Sequence, residues 1–546
     1  MTTRQSISAD GFHSPIDREI GLPLPPGSNL PQREQPVATM STLRLYVFFF
    51  LAFLSVSSGI IASSDGVTIF NVTQALIEDG GIAVKGDNVA AGVDGRLYSR
   101  YGIGLSLATV PFYLLGKVVA AFAPIHLTPF VLKGVASLTN AAIGALVCIL
   151  LFLTAVRFGY SQKVALQLTI AFAFSTFFIV YVTKSFLTQP LESLCILGAI
   201  YHLVSFRQDG KSSRLFYAGI FGGIGILTKW FFVINLPILA AYPLISSSRR
   251  GRRPQNLILF AAPAAGVFAV GLWYNFLRFG SIWQTGYFGI TSFSTPLLVG
   301  LYGLLLSSGK SLVLYAPVTL LGLLSLKSFV KHRQHETWLF LGLFLINLLA
   351  VAKYRDWGGD GAWGPRYLTL VLPCLILPIG ALFERGTRAA KRGFVVLILL
   401  GILVHVGGVS VYYGTYFRII GEFPYEREIT DPLFLYKVRY IPNYSPAWGQ
   451  FEMAMRNWRI FLRGERPAIA IAHNGARIPL SETDREKLTD TLDLWFAYSY
   501  YAGLPFSLCL LGMTSLMGSA AVMGWRIYRS CTRLDQQVEA DPHHIQ

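Results

Sequence analysis

The stretch SSDGVTIFNVTQAL, residues 63–76, places a carboxylate, Asp65, directly after about twenty apolar residues. A charge that close to hydrocarbon is costly, and where one is retained it tends to serve function. Such a carboxylate can accept a proton, or it can cap a helix by accepting a backbone N–H bond. The two roles are compatible, and the pattern predicts a helix over 67–78. Cations stand at the ends of other apolar runs. Arg100 lies in DGRLYSRYGIG (94–104) with Tyr101 beside it, Lys184 precedes Glu192 in YVTKSFLTQPLES (181–193), and Lys229 lies in GILTKWFF. Arg355, Asp356, Asp360 and Arg366 share KYRDWGGDGAWGPRY (353–367) with Trp357 and Trp363. Gathered in one place, these cations suit a phosphate. Taken singly, each is explained by a long side chain reaching for the interface, and the tryptophans by an interfacial belt as well as by stacking on a sugar.

The elements that must position these groups are membrane helices. The 546 residues are 53% hydrophobic and only 14% charged, with a mean hydropathy of +0.50. Soluble domains carry about 25% charged residues. Runs long enough to cross a core of about 30 Å recur from residue 43 to 412 and again near 497–525. The expected architecture is all-α and polytopic, with roughly twelve transmembrane helices. A net charge of +17 does not indicate nucleic acid, because the basic residues are dispersed between apolar runs. Membrane lipids and topology account for it.

Alternate loops are rich in Lys and Arg, which the positive-inside rule assigns to the cytoplasm. They include Arg157 with Lys163, Arg207 with Lys211 and Arg214, SRRGRRP (248–254), LKSFVKHRQ (326–334), ERGTRAAKRG (384–393) and WRIYRS (525–530). Both termini are then inside. The bookkeeping requires 103–122 to be a re-entrant or surface-lying helix within a long first external loop, and it leaves Asp65 and the cations named above on the outer face. The expected domains are a disordered cytoplasmic tail (1–40), a transmembrane catalytic domain (41–412), a small external segment (413–495), a last transmembrane helix (496–530) and a cytoplasmic tail (531–546).

Other motifs carry less. GIFGGIG (219–225) has Gly219 and Gly223 four apart within a span, a helix-packing pattern with no strand before it. The histidines lack metal-site spacing. Four of the five cysteines fall inside apolar spans, so no disulfide framework is indicated. NVT (71–73) and NYS (443–445) fit the N-glycosylation pattern only weakly as evidence.

With these residues in place, a resemblance can be stated. The carboxylate after the first span and DGRLYSRYGIGLSLATVPFYLLG, together with GILTKWFFVINLP, FGSIWQTGY, GKSLVLYAP, WGGDGAWGPRYLTLVLP and PNYSPAWGQ, resemble the C-type (GT-C) membrane glycosyltransferases that depend on polyprenyl phosphates. The bacterial branch related to protein O-mannosyltransferases and aminoarabinose transferases is the most similar in pattern. The resemblance covers roughly 43–450. It implies a GT-C bundle in which Asp65 matches the first-loop catalytic carboxylate and Lys229 and Arg366 match basic positions, with Arg100 near the donor phosphate.

It further implies a polyprenyl-phosphate-linked sugar as donor and a glycan, lipid or protein as acceptor, with Asp65 as general base and Arg100, Lys184, Lys229 and Arg366 on the phosphate. Tyr101, Glu192, Arg355, Asp356, Asp360 and Trp363 are secondary candidates. One departure stands out. Gln189-Pro190 occupies a place where relatives often carry an acid before the proline, with Glu192 two residues beyond that proline, so a divalent cation (Mg or Mn) is left open. The competing classes are a transporter or flippase of a lipid-linked intermediate, against which the charges gather at one face without a repeat, and a non-catalytic scaffold.

Overall fold

The computed structural model describes residues 40–246, 253–287, 292–384, 386–422, 427–429, 431, 433–467 and 490–540. The tail expected at 1–40 lies outside them except for Met40, as do 468–489 of the external segment and the final residues 541–546. The described chain is helical apart from one small antiparallel hairpin, β1 (Val89–Ala91) with β2 (Leu97–Ser99), which qualifies the all-α expectation.

Among the described residues, six helices are long and apolar enough to cross a membrane: Ile125–Arg157, Arg253–Phe279, Gln334–Lys353, Arg366–Glu384, Arg388–Ser410 and Phe506–Gln536. Shorter apolar helices, among them Ser213–Thr228 and Trp230–Ser246, pack between and beside them. The apolar side chains they leave exposed, such as Ile258, Trp273 and Phe276 on one and Val396, Leu399 and Leu403 on another, form outward rows suited to lipid tails. Gly219 and Gly223 do what their spacing indicates. A Cβ on Gly219 would lie 2.1 Å from the Phe260 carbonyl, and one on Gly223 2.6 Å from Val267 Cβ, so glycine lets Ser213–Thr228 press against Arg253–Phe279.

The first span differs from expectation. Helix α1 (Thr42–Ser55) has 14 residues and stops well before Asp65. From Val56 to Ile61 the chain is irregular, with Gly59 at φ +68°. Hydropathy alone does not detect this break, because the exposed backbone groups are satisfied inside the protein. The Ser58 N–H donates to the Thr183 carbonyl (3.0 Å), and the Ser57 carbonyl accepts from Trp495 (3.0 Å). Helix α2 (Ser64–Glu78), the hairpin and helix α3 (Gly104–Ala120) then form the first loop. Thr73 Oγ1 donates to the Ser106 carbonyl (3.0 Å) and Ser106 Oγ to that of Ile69 (3.0 Å), which locks α2 to α3. Helix α4 (Thr128–Arg157) follows and packs against both α3 and α1.

The expected last helix, 496–530, is two pieces. Trp495–Tyr501 ends before Pro505, and a second helix runs Phe506–Ala540, past the expected boundary at 531. Asp535 explains the continuation. Its carboxylate accepts the N–H groups of Gln162 (2.9 Å) and Lys163 (3.0 Å), capping the helix that begins there. Within 413–467, Tyr413–Ile419, Tyr436–Tyr440 and Pro446–Leu462 share a small apolar core of Tyr416, Phe417, Phe434, Leu435, Val438 and Met453.

Candidate active site

Asp65 lies in the first turn of α2, and the cap is Ser63, whose Oγ accepts the Gly66 N–H (3.1 Å). The sequence offered Asp65 for that role. Because serine fills it, the Asp65 carboxylate is free to point elsewhere. Gly66 lets the helix start press against the next loop, since a Cβ there would meet the Phe186 carbonyl at 2.8 Å. The carboxylate accepts from Asn88 Nδ2 (3.0 Å) and stands 3.6 Å from Arg366 Nη1. It also faces the Tyr101 hydroxyl, whose pKa is pushed up first by burial and then by this negative neighbour.

Arg366 follows Gly364 (φ +58°) and Pro365 and opens a 3-10 turn, Arg366–Val371. Its Nη2 donates to the Tyr367 hydroxyl (3.0 Å), and its guanidinium lies 4.8 Å from the Tyr367 ring centroid. Lys229 sits at the break between Ser213–Thr228 and the turn Trp230–Asn235. Its ammonium lies 4.4 Å from the centroid of the same ring and 3.6 Å from Glu192 Oε1, which also accepts the Thr188 hydroxyl (2.6 Å). Asp65, Arg366, Tyr367, Lys229 and Glu192 thus form one continuous run of ion pairs and cation–π contacts drawn from four regions of sequence. Tyr367 is the joint, holding two cations at cation–π distance.

Arg100 borders this group. Its N–H donates to the Asn88 carbonyl (3.1 Å), its side chain packs beside Gly286, and its buried Nε has no hydrogen-bond partner. Its backbone is pinned on both sides by Arg278, a fully buried residue whose Nη1 donates to the carbonyls of Ser99 and Tyr101 (3.2 Å for the latter). Arg278 lies 3.9 Å from the Tyr274 ring centroid. Tyr287 meets Tyr101 edge-on at 6.4 Å.

The remaining candidates are engaged by other partners. Lys184, expected on the phosphate, is 6% exposed and donates its ammonium to the Asp493 main-chain carbonyl. Burial pushes its pKa down to about 8 against the opposing charge of Asp493. Trp363, weighed as a sugar platform, is core. Its indole N–H donates to His405 Nδ1 (3.1 Å), and its ring packs edge-on against Tyr315. Asp356 pairs with Arg439 (3.3 Å), and burial raises its pKa despite that cation. Asp360, at φ +60°, donates its N–H to Asp356 Oδ1 (2.9 Å). Arg355 donates its N–H to the Ser292 carbonyl (2.9 Å).

Several residues at or beside the group were not singled out from sequence. Tyr367 and Lys310 lay inside quoted motifs, where the neighbouring charge or the motif as a whole drew attention. Tyr287 likewise closes the quoted FGSIWQTGY, whereas Asn88, Arg278 and Arg439 had no local signal. A divalent cation finds no ready cage here. The two carboxylates of the group are already engaged, Asp65 by the Asn88 amide and the ion pair with Arg366, Glu192 by the Thr188 hydroxyl and the ion pair with Lys229. Among the described residues, no three His, Cys, Asp or Glu gather to hold one.

Residues 130–274, which include Glu192 and Lys229, match the family described as dolichyl-phosphate-mannose-protein mannosyltransferase. The resemblance to the C-type membrane glycosyltransferases stands. Among solved structures, ArnT from Cupriavidus metallidurans bound to undecaprenyl phosphate is 13% identical, with a TM-score of 0.44 over 87% of this chain and 76% of that one. The archaeal oligosaccharyltransferase AglB from Archaeoglobus fulgidus, in complex with an inhibitory peptide and a dolichol-phosphate, is 12% identical, with a TM-score of 0.43 over 86% of this chain and 61% of that one. No curated protein matches the chain.

Proposed function

We propose that this protein is an integral-membrane glycosyltransferase that moves a sugar from a polyprenyl-phosphate donor to an acceptor hydroxyl on the extracytoplasmic face, with inversion. The observation that carries the reading is the meeting of Asp65 with Arg366 and, through Tyr367, with Lys229. Asp65 takes the proton of the acceptor hydroxyl. The hydroxyl oxygen bonds to the anomeric carbon from the face opposite the phosphate, through an oxocarbenium-like state. The bond from that carbon to the phosphate oxygen breaks, and the electron pair leaves with the phosphate, where Arg366, Lys229 and Arg100 meet the developing charge. A phosphate at Arg366 competes with Asp65 for the guanidinium. Donor binding therefore loosens the ion pair and leaves the Asp65 carboxylate open to the acceptor hydroxyl.

The test is Asp65→Asn in purified protein reconstituted in liposomes, supplied with a radiolabelled polyprenyl-phosphate sugar. Loss of transfer by about a hundredfold or more is expected for a general base, and undiminished transfer overturns the assignment. Substituted-cysteine labelling from each side checks that Asp65 faces outward and that both termini face the cytoplasm of the plasma (inner) membrane. Glycan and lipid mass spectrometry of a deletion strain names the sugar and the acceptor together.

A further inference from the structure

We infer that Arg439, in the segment after the main bundle, is a positioning residue for Arg366, acting through the loop 354–365 that ends on it. The inference rests on the proposed phosphate-holding role of Arg366.

The loop has no regular structure of its own, so whatever fixes its turns also fixes where Arg366 points. Its first turn is held by Asp356, whose Oδ1 accepts from Arg439 Nη2 (3.3 Å) and from the Asp360 N–H (2.9 Å). The Arg439 side chain is 7% exposed, with its guanidinium 5.0 Å from the Trp357 ring centroid and 5.1 Å from that of Phe434. Two consecutive glycines then pass between two guanidinium groups. A Cβ on Gly358 would lie 2.8 Å from Arg439 Nε, and one on Gly359 2.6 Å from Arg366 Nε. Both of these Nε atoms are buried without a hydrogen-bond partner, so packing against the glycine backbone is what sets their position.

The other side of the clamp is equally close-fitting. Lys310, fully buried, donates its ammonium to the carbonyls of Asp360 (3.1 Å) and Ala362. Its neighbour Gly309 donates its N–H to the Arg439 carbonyl (3.2 Å), and a Cβ there would meet the Val438 carbonyl at 1.7 Å. Ser445 Oγ donates to the Ser308 carbonyl (2.6 Å). The GK of GKSLVLYAP therefore seats Tyr436–Tyr440 against the loop, and Arg439 closes the contact with its charge. Moving Arg439 releases Asp356, opens the space beside Gly358 and lets the adjacent peptide, and Arg366 with it, drift.

The experiment is a double-mutant cycle read by binding of undecaprenyl phosphate in detergent micelles. Arg439→Ala is expected to weaken binding about tenfold in the parent protein but less than about twofold when Arg366 is already alanine, since residues acting through one group are non-additive. Asp356→Asn, of unchanged shape, should give the same pattern and carries the test if Arg439→Ala does not fold. Equal losses in both backgrounds, or no loss in the parent, overturn the positioning role while leaving Arg366 on the phosphate. If Arg366→Ala alone leaves binding unchanged, the phosphate-holding reading fails, and the inference falls with it.

Discussion

The Asp65 carboxylate and the Arg366 guanidinium lie 3.6 Å apart, one in the first turn of α2 and the other just beyond the loop that follows the span Gln334–Lys353. The pair is partly shielded, with 26% and 13% of the two side chains exposed. It is therefore screened less than a surface ion pair and remains open to a ligand. Arg366→Lys keeps the charge but removes the planar fork that bonds Asp65 and Tyr367 at once. Undecaprenyl phosphate binding is expected to weaken by about tenfold, the cost of one charge-assisted hydrogen bond. Equal affinity for Lys and Arg would show that only a point charge is used.

Tyr367 supports two cations with one ring. Tyr367→Phe keeps the ring and loses only the hydroxyl that accepts from Arg366, so binding should change by no more than about threefold. Tyr367→Leu removes both cation–π contacts, and a loss of about tenfold or more is expected. If Phe is as damaging as Leu, the hydroxyl, not the ring, joins Lys229 to Arg366.

Some of this was legible in the sequence. Asp65, Lys229, Glu192 and Arg366 stand out because a charge at the end of an apolar run is expensive, and the structure brings these four together. The direction each charge faces was not legible. Lys184 stands at a helix end just as Lys229 does, yet it turns to the Asp493 carbonyl, a neighbour far along the chain that no local pattern reveals. Trp357 and Trp363 both look like interfacial residues in an aromatic loop, yet both are buried in the core, Trp363 held there by its hydrogen bond to His405. The break after Ser55 was hidden for a related reason. Hydropathy measures side chains, whereas the irregular Val56–Ile61 backbone is held by partners at Thr183 and Trp495.

Gly359 adopts φ +66°, which costs an L-residue about 1–2 kcal/mol. An added Cβ would also lie 2.6 Å from Arg366 Nε. Gly386 has a nearly identical φ of +68° with open space around its Cβ direction. Gly359→Ala and Gly386→Ala should both lower the melting temperature in detergent, but only Gly359→Ala should weaken undecaprenyl phosphate binding. Matching affinities for the two variants would mean that Arg366 relaxes around the intrusion at no cost.

Lys184 provides a test in pH. Its pKa falls from an ordinary 10.5 to about 8, chiefly by burial, so between these values the unfolded chain binds more protons than the folded one. Stability from this group therefore rises with pH across that window and is lost as pH falls through 8. The full difference is about 3 kcal/mol at 1.36 kcal/mol per pKa unit. Lys184→Met has no ammonium to desolvate, so the stability of the parent protein relative to this variant should climb between pH 7.5 and 10. Urea denaturation of both proteins in the same detergent measures the gap. A gap that stays constant with pH would mean that Lys184 is solvated in the native state and that its bond to the Asp493 carbonyl is not persistent.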